Sequence, residues 1–312
     1  MNPAIDFQNV AKRYGKVAAL RGVSFRVNPG EMFGLIGPDG AGKTTAIRAI
    51  CGLLHIDAGT IRVLGNDPIK QHRQVTGTVG YLSQRFSLYG DLSIDENIAF
   101  FAEIHGVRDY ESRRNRLLDM TQLTPFRDRL GDQLSGGMKQ KLALACTLVH
   151  EPQVIMLDEP TTGVDPVSRR EFWKLLSQFL SQGITIIMST PYLDEAERCT
   201  RIALLHEGKV LALDQPSRLR SGLKGNLFEV IVSSPRQAQD QLAAQRDITS
   251  VQVFGDRLHV WIDHGDAAAA EQQLKAAASR AGLAPSGLRP ILPSLEDVFI
   301  ARLATANEAS VS

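Results

Sequence analysis

Nine consecutive residues constrain this chain more than any others: Gly37-Pro38-Asp39-Gly40-Ala41-Gly42-Lys43-Thr44-Thr45. They satisfy the pattern GxxxxGK[ST] at every required position. The short apolar run Phe33-Gly34-Leu35-Ile36 before them predicts a strand, and the segment from Lys43 to about Cys51 predicts a helix. Strand, loop and helix in that order demand an α/β layer. The glycines let the backbone wrap closely and turn its N–H groups inward, while the helix N-terminus adds partial positive charge. Lys43 is then placed to reach the β- and γ-phosphates of a bound nucleotide, and the Thr44 hydroxyl to ligate Mg²⁺. The glycine spacing and the GK[ST] ending exclude a dinucleotide-binding Rossmann turn.

A second buried strand is expected at Val154-Ile155-Met156-Leu157-Asp158, followed at once by Glu159. A continuous apolar run suits a parallel sheet covered on both faces. Alone, its end would read as two solvated acids. Paired with the phosphate loop, Asp158 is the expected Mg²⁺ ligand and Glu159 the expected general base for an attacking water. A long interval separates Lys43 from Asp158, and it holds a largely helical stretch at about 95–123. The same interval contains Leu134-Ser135-Gly136-Gly137-Met138 before an amphipathic helix, Lys139 to Val149. Ser135 can cap that helix, which makes a second anion-binding helix N-terminus in one chain. One triphosphate seldom needs two. A head-to-tail dimer uses both, with each nucleotide between one chain's loop and the other's capped helix.

Composition narrows the class. Hydrophobic residues are 43% and charged residues 22% of the 312, which excludes a disordered or low-complexity chain. The formal net charge is +1, so there is no global footprint for nucleic acid. No apolar run is long enough to span a bilayer, and the first residues lack the basic-then-apolar pattern of a secretory signal. Cys51, Cys146 and Cys199 are far apart and read as small buried residues in a reducing compartment. The histidines show no metal-ligand spacing; His105, His150 and His206 read as element-end or surface residues.

The composition shifts near residue 220. Residues 1–222 form the expected nucleotide-binding domain, and Ser221-Gly222-Leu223-Lys224-Gly225-Asn226 the linker. A small α+β domain is expected over 226–304. Its strands are Leu227–Val232, Val251–Phe254 and Leu258–Ile262, the last two joined by a Gly255-Asp256 turn. Helices are expected at Pro235–Gln245, at Asp266–Ala281 and after Pro293, the last with Ser294 as N-cap and Asp297 at capping-box distance. Residues 305–312 are small and polar and are expected to form a flexible tail.

Taken together these segments resemble the nucleotide-binding subunit of an ABC (ATP-binding cassette) transporter over about residues 4–220. Gly37–Thr45 is similar to the family's Walker A motif, Val154–Asp158 to Walker B, and Leu134–Met138 to the LSGGQ signature, with Met138 in place of the final Gln. The resemblance implies a P-loop NTPase fold: a RecA-like core with ABC antiparallel β and α-helical subdomains, followed by the small C-terminal domain. It implies ATP and Mg²⁺ as ligands. Gly37, Asp39, Gly40, Ala41, Gly42, Lys43, Thr44 and Thr45 would hold the phosphates, and Ser135, Gly136 and Gly137 would touch a partner's γ-phosphate. Glu159 matches the catalytic Glu. Gln84 matches the Q-loop Gln, which contacts Mg²⁺ and couples to the membrane subunit. Tyr14 matches the aromatic that stacks on adenine, with Val17 beside it, and Gly163-Val164-Asp165 matches the D-loop. Arg85-Phe86-Ser87-Leu88-Tyr89 follows Gln84; its aromatics suit either a groove for a membrane-subunit helix or plain core packing.

One position departs from the family. The switch His should follow Ile186-Ile187-Met188-Ser189-Thr190, and Pro191 stands there. Proline has neither a side-chain donor nor a backbone N–H. Two readings stay open: a site weakened in hydrolysis, or one in which Glu159 alone suffices. The narrower resemblance, which includes the ending Leu295-Glu296-Asp297-Val298-Phe299, is to ATPase components of bacterial multidrug or drug-type exporters. It implies an ATPase powering export, separate membrane-spanning subunits, a second nucleotide-binding subunit in a homo- or heterodimer, and a cytoplasmic place on the inner face of the cell membrane. Competing classes are a regulatory nucleotide-binding subunit with little turnover, and a soluble ribosome- or nucleic-acid-associated cassette. The last is disfavoured by the single cassette, the missing heptad insertion and the near-zero charge.

Overall fold

The computed structural model describes residues 2–84, 88–263 and 265–311, with side chains through Ala306. The chain divides into two compact units, Met1–Pro216 and Ser217–Ser312. The boundary precedes the linker expected from glycine content, because most of the helix Pro216–Ser221 falls in the second unit.

The first unit opens with an antiparallel pair, β1 (Ile5–Tyr14) and β2 (Val17–Val27), closed by a Gly15-Lys16 turn in which Gly15 has φ 56°. Then come β3 (Met32–Ile36), α1 (Lys43–Ile50), β4 (Ala58–Val63), α2 (His72–Thr76) and β5 (Val79–Leu82). Strand β4 pairs with β1, giving a three-stranded antiparallel sheet of order β2-β1-β4. The expected helical stretch is two helices, α3 (Ile94–Ile104) and α4 (Glu111–Thr121). A capping box between Ser93 and Glu96 starts α3, and the chain turns beyond it through Gly106 at φ 68°. The remaining elements are α5 (Gly136–Leu148), β6 (Val154–Asp158), α6 (Pro166–Ser181), β7 (Thr185–Thr190), α7 (Leu193–Ala196), β8 (Arg201–His206) and β9 (Lys209–Asp214).

These strands build a six-stranded sheet of order β5-β6-β7-β3-β8-β9, in which β9 alone runs antiparallel to its neighbour. Every residue of β3, β6 and β7 is buried, as an unbroken apolar run requires in a doubly covered parallel sheet. Because these strands are parallel, the loops after Ile36, Leu82, Asp158 and Thr190 open on one edge. Ligands of open α/β sheets bind at that edge. Phe25 joins the two sheets: its ring stacks on Phe7 at 4.7 Å and on Phe33 of β3 at 5.3 Å. Such pairs are worth about 0.5–1.5 kcal/mol each beyond their burial.

The second unit contains α8 (Pro216–Ser221), β10 (Asn226–Ile231), α9 (Pro235–Ala243), β11 (Ser250–Phe254), β12 (Arg257–Ile262), α10 (Ala267–Arg280), β13 (Gly287–Ile291) and α11 (Leu295–Val311). Its sheet, β11-β12-β10-β13, is antiparallel throughout. Alternate residues Phe228, Val230, Leu258 and Val260 are buried in a separate core with Ala270 and Leu274. Strand β13 has no counterpart in the sequence reading, because Pro290 argues against a strand. It lies at the sheet edge, where a missing N–H is tolerated. Ser294 and Asp297 cap α11 reciprocally: Ser294 Oγ accepts from the Asp297 N–H at 3.2 Å, and Asp297 Oδ2 accepts from the Ser294 N–H at 2.8 Å. The helix continues through Val311, where a flexible tail was expected from 305. Ala301, Ala304 and Ala306 favour helix over an open chain.

Candidate functional site

The phosphate loop is shaped by steric limits. A Cβ on Gly37 would stand 2.2 Å from the Leu205 carbonyl oxygen, and one on Gly42 would stand 2.5 Å from that of Ala19. Gly42 also has φ 103°, outside the reach of other residues. No side chain caps α1, so its first-turn N–H groups remain open to an anion. Lys43 is only 4% exposed. Its ammonium donates to the carbonyls of Gly37 (2.9 Å) and Pro38 (3.1 Å) and pairs with Glu159 at 3.1 Å.

Below the loop lies a buried carboxylate. Asp158 Oδ1 accepts from the Thr44 hydroxyl at 2.9 Å and from the Ser189 hydroxyl at 2.7 Å. Its other oxygen, Oδ2, is buried with no partner. A buried orphan carboxylate oxygen beside a threonine hydroxyl fits a hard divalent cation such as Mg²⁺, which takes one or two protein oxygens and fills the rest of its shell elsewhere. Glu159 has φ 49°, a left-handed turn that carries it off the strand. Its N–H donates to the Ser189 carbonyl (3.1 Å) and to Ser189 Oγ (3.0 Å). Its carboxylate spans Lys43 on one oxygen and Gln84 Nε2, at 3.0 Å, on the other. Glu159, Lys43 and Gln84 thus stand within hydrogen-bond reach of one another, close to the buried Asp158 carboxylate that Thr44 holds, an arrangement of the kind that hydrolysis of a phosphoanhydride can use.

These groups open into a cleft of about 520 Å³, within the usual span for small-molecule sites. Tyr14, Val17, Asp39 through Thr45, Gln84 and Glu159 line it, whereas Gly37 and Pro38 lie off it as acceptors for Lys43 and Asp158 is not among its lining residues. Tyr14 is 50% exposed and Val17 67%, an open platform at the start of the antiparallel turn.

Ser135, Gly136 and Gly137 are not part of this cleft. Ser135 caps α5, accepting from the Met138 N–H at 3.3 Å. A Cβ on Gly137 would meet Ser168 Oγ of α6 at 2.2 Å, whereas a Cβ on Gly136 would meet nothing within 4 Å. Packing within the chain therefore explains Gly137 and leaves Gly136 unexplained. Asp165, in the segment likened to the D-loop, caps α6 by accepting from the N–H groups of Val167 and Ser168.

Pro191 lines the cleft, as do Thr162 and Tyr192, which the sequence reading did not single out. Nor did it single out Ser189, although its register opposite Asp158 brings its hydroxyl to the carboxylate. Glu195 was also missed. It is 1% exposed and accepts from Thr161 Oγ1, from Thr190 Oγ1 at 2.7 Å and from Arg169 at 2.7 Å. A lone Glu within a polar run gives no sign of such burial. Residues 85–87 of the segment read as an aromatic groove lie outside the described residues. Tyr89 meets Phe100 edge-on at 4.5 Å.

Elsewhere, His105 and His150 do stand at element ends, and their rings stack at 3.8 Å. Burial and the neighbouring His105 push His150 down to about 4. All three cysteines are buried, and burial pushes Cys199 up to about 12. Among the described residues no cluster of His, Cys, Asp and Glu is arranged to hold a metal ion, and no helix is long and apolar enough to cross a membrane.

Comparison with known proteins shows the family. The ABC transporter family profile matches residues 20–162. A probable multidrug ABC transporter ATP-binding protein, YbhF of Escherichia coli, is 43% identical over 248 residues; the match covers 78% of this chain and 42% of that one, so the chain spans less than half of that relative's length. The Nod factor export ATP-binding protein I of Burkholderia thailandensis is 39% identical over 300 residues, 95% of each chain. Among solved structures, the ATP-binding cassette MJ0796, in a dimeric post-hydrolysis state bound to ADP and Pi, superposes with a TM-score of 0.61 at 26% identity. That match covers 68% of this chain and 98% of the other.

Proposed function

The chain belongs to the ATP-binding proteins of ABC transporters, and on that premise we propose that it binds MgATP in the cleft above Asp158 and powers export through separate membrane-spanning subunits. The observation that carries this reading is the convergence of Lys43, Thr44, Gln84, Asp158 and Glu159 at the carboxyl edge of the parallel sheet. Tyr14 and Val17 offer the adenine a stacking wall. The loop backbone from Gly37 to Thr45 cradles the phosphates. Lys43 exchanges its Glu159 contact for the terminal phosphates, which frees Glu159 to take a proton from the attacking water. Thr44, Asp158 and Gln84 are the residues that would hold Mg²⁺, whose chemistry is to neutralise charge developing on the leaving phosphate oxygens.

The exposed Ser135 and Gly136 serve a second cassette rather than this cleft. That assignment draws support from the open space around Gly136. Pro191 leaves the switch position without a donor, so this chain's own cleft hydrolyses slowly, and the working pair joins it to a cassette with a complete Walker half. A regulatory subunit with very little turnover is the second reading, favoured by the same proline. The relatives' names, one for multidrug transport and one for Nod factor export, support an exported cargo such as drugs or other hydrophobic compounds; the place of work is the inner face of the cell membrane. The second unit, 217–312, contributes dimer contacts or regulation.

The experiment is purification of the chain with its native membrane complex and identification of every subunit. Recovery of membrane-spanning subunits and a distinct second cassette is the expected result. Recovery with ribosomes or nucleic acid and no membrane protein would overturn it.

A further inference from the structure

Within the cleft, the segment after β7 is built with unusual care for a wall that holds a proline. The Gly37 N–H donates to the Thr190 carbonyl at 3.4 Å, and the Glu159 N–H to the Ser189 carbonyl at 3.1 Å, so residues 189–192 flank both the start of the phosphate loop and the base. Thr190 Oγ1 donates to buried Glu195 at 2.7 Å and accepts from the Tyr192 N–H at 3.1 Å. Arg169, paired with Glu195 at 2.7 Å, places its guanidinium carbon 5.2 Å from the Tyr192 ring centre. Thr161, two residues beyond Glu159, also donates to Glu195. One buried carboxylate therefore fixes the backbone on both sides of the base and, through Arg169, the ring of Tyr192.

Tyr192 lines the cleft beside Pro191 and is 39% exposed. A phenol is both a hydrogen-bond donor and an acceptor. Pro191 is neither at its side chain. We propose that Tyr192, held by Arg169 and Glu195, supplies the hydrogen-bond donor to the terminal phosphate that Pro191 cannot, and so lets the cleft tell a nucleoside triphosphate from a diphosphate even where turnover is slow. This rests on the reading that the cleft binds ATP. Tyr192 is thus a specificity-determining residue for nucleotide state. Glu195 and Arg169 are positioning residues, since they act through it.

The test is equilibrium binding of MgATP and MgADP to the full chain, with wild type, Tyr192→Phe, Lys43→Ala, Pro191→His and the double variant Pro191→His/Tyr192→Phe. A hydrogen bond to a charged phosphate is worth roughly a ten- to hundredfold change in affinity. Tyr192→Phe is expected to weaken ATP by that factor and ADP by less than about twofold. In the Pro191→His background a second donor is present, so Tyr192→Phe is expected to cost ATP affinity distinctly less; coupling seen for ATP and absent for ADP marks a shared terminal phosphate, whereas packing between these adjacent residues would couple both nucleotides alike. Equal affinities for ATP in wild type and Tyr192→Phe, or equal losses for ATP and ADP, would overturn the proposal. Failure of the underlying reading looks different: wild type would not bind ATP, or Lys43→Ala would bind it unchanged.

Discussion

Two helix N-termini in this chain are furnished in opposite ways. At α1 no side chain caps the helix, yet groups suited to an anion and a cation are gathered around it: a buried lysine, two hydroxyls on a buried carboxylate, and a second carboxylate held by a lysine and an amide. At α5 a serine caps the helix, and the adjacent Gly136 faces open space. The first draws all its groups from this chain. The second has glycine where its own chain does not need it. On the proposed reading the two ends serve different neighbours, one within the chain and one outside it.

The comparison is broken most severely at the α5 end. Ser135→Arg places a long cation where the partner's nucleotide is to sit, and turnover by the assembled pair is expected to vanish, while ATP binding at this chain's own cleft persists. Glu159→Gln in this chain is expected to lower turnover of the pair far less. ATPase assays on the reconstituted pair, set against nucleotide binding to this chain alone, separate the two ends.

At the α1 end the expected effect is smaller. Lys43→Ala removes a charge-assisted contact worth ~1.5–3 kcal/mol, so ATP affinity measured by calorimetry is expected to fall roughly ten- to a hundredfold. Unchanged affinity would show that Lys43 does not meet the phosphates.

Those two ends were unequally legible in the sequence. The phosphate loop and Asp158-Glu159 could be read because each residue type there has one job at a fixed spacing. Ser135 could be read as a cap for the same reason. Ser189 and Glu195 could not, because their roles come from strand register and from a loop folding back, neither of which leaves a local spacing. Tyr192 was hidden by its neighbour: Pro191 drew attention as an absence, and the donor beside it is visible only once both line one cleft. Strand β13 and the full length of α11 were missed where local composition, proline in one and small polar residues in the other, gave way to pairing and helix propensity.

Acid separates the two units by smaller effects. In the first, His150 titrates at about 4 when folded, against its ordinary 6.5, because burial and stacking on His105 disfavour its cation. The unfolded chain gains a proton as pH falls through 6.5, and the folded unit does not until about 4, so stability drains across that window. In the second unit, hydrogen bonds from Arg289 and Arg257 hold Glu229 at about 2, below its ordinary 4.5. Its contribution is present above 4.5 and is lost as pH falls toward 2. Thermal melts at stepped pH are expected to show the first unit weakening earlier. His150→Gln should flatten the upper window, and Arg289→Ala the lower one. The smallest effect is expected from removing the second unit: a chain ending at Gly225 should bind ATP within about twofold of the full chain. A soluble chain of that length that no longer binds ATP would contradict the division of labour.

On the proposed reading, the cleft of this chain binds ATP but turns it over slowly, while its α5 end completes the site of another cassette. ATPase activity of the isolated chain, with and without Pro191→His, tests this most directly. Slow hydrolysis that the substitution accelerates is the expected result. Fast, cooperative hydrolysis by the chain alone, little changed by Pro191→His, would contradict it.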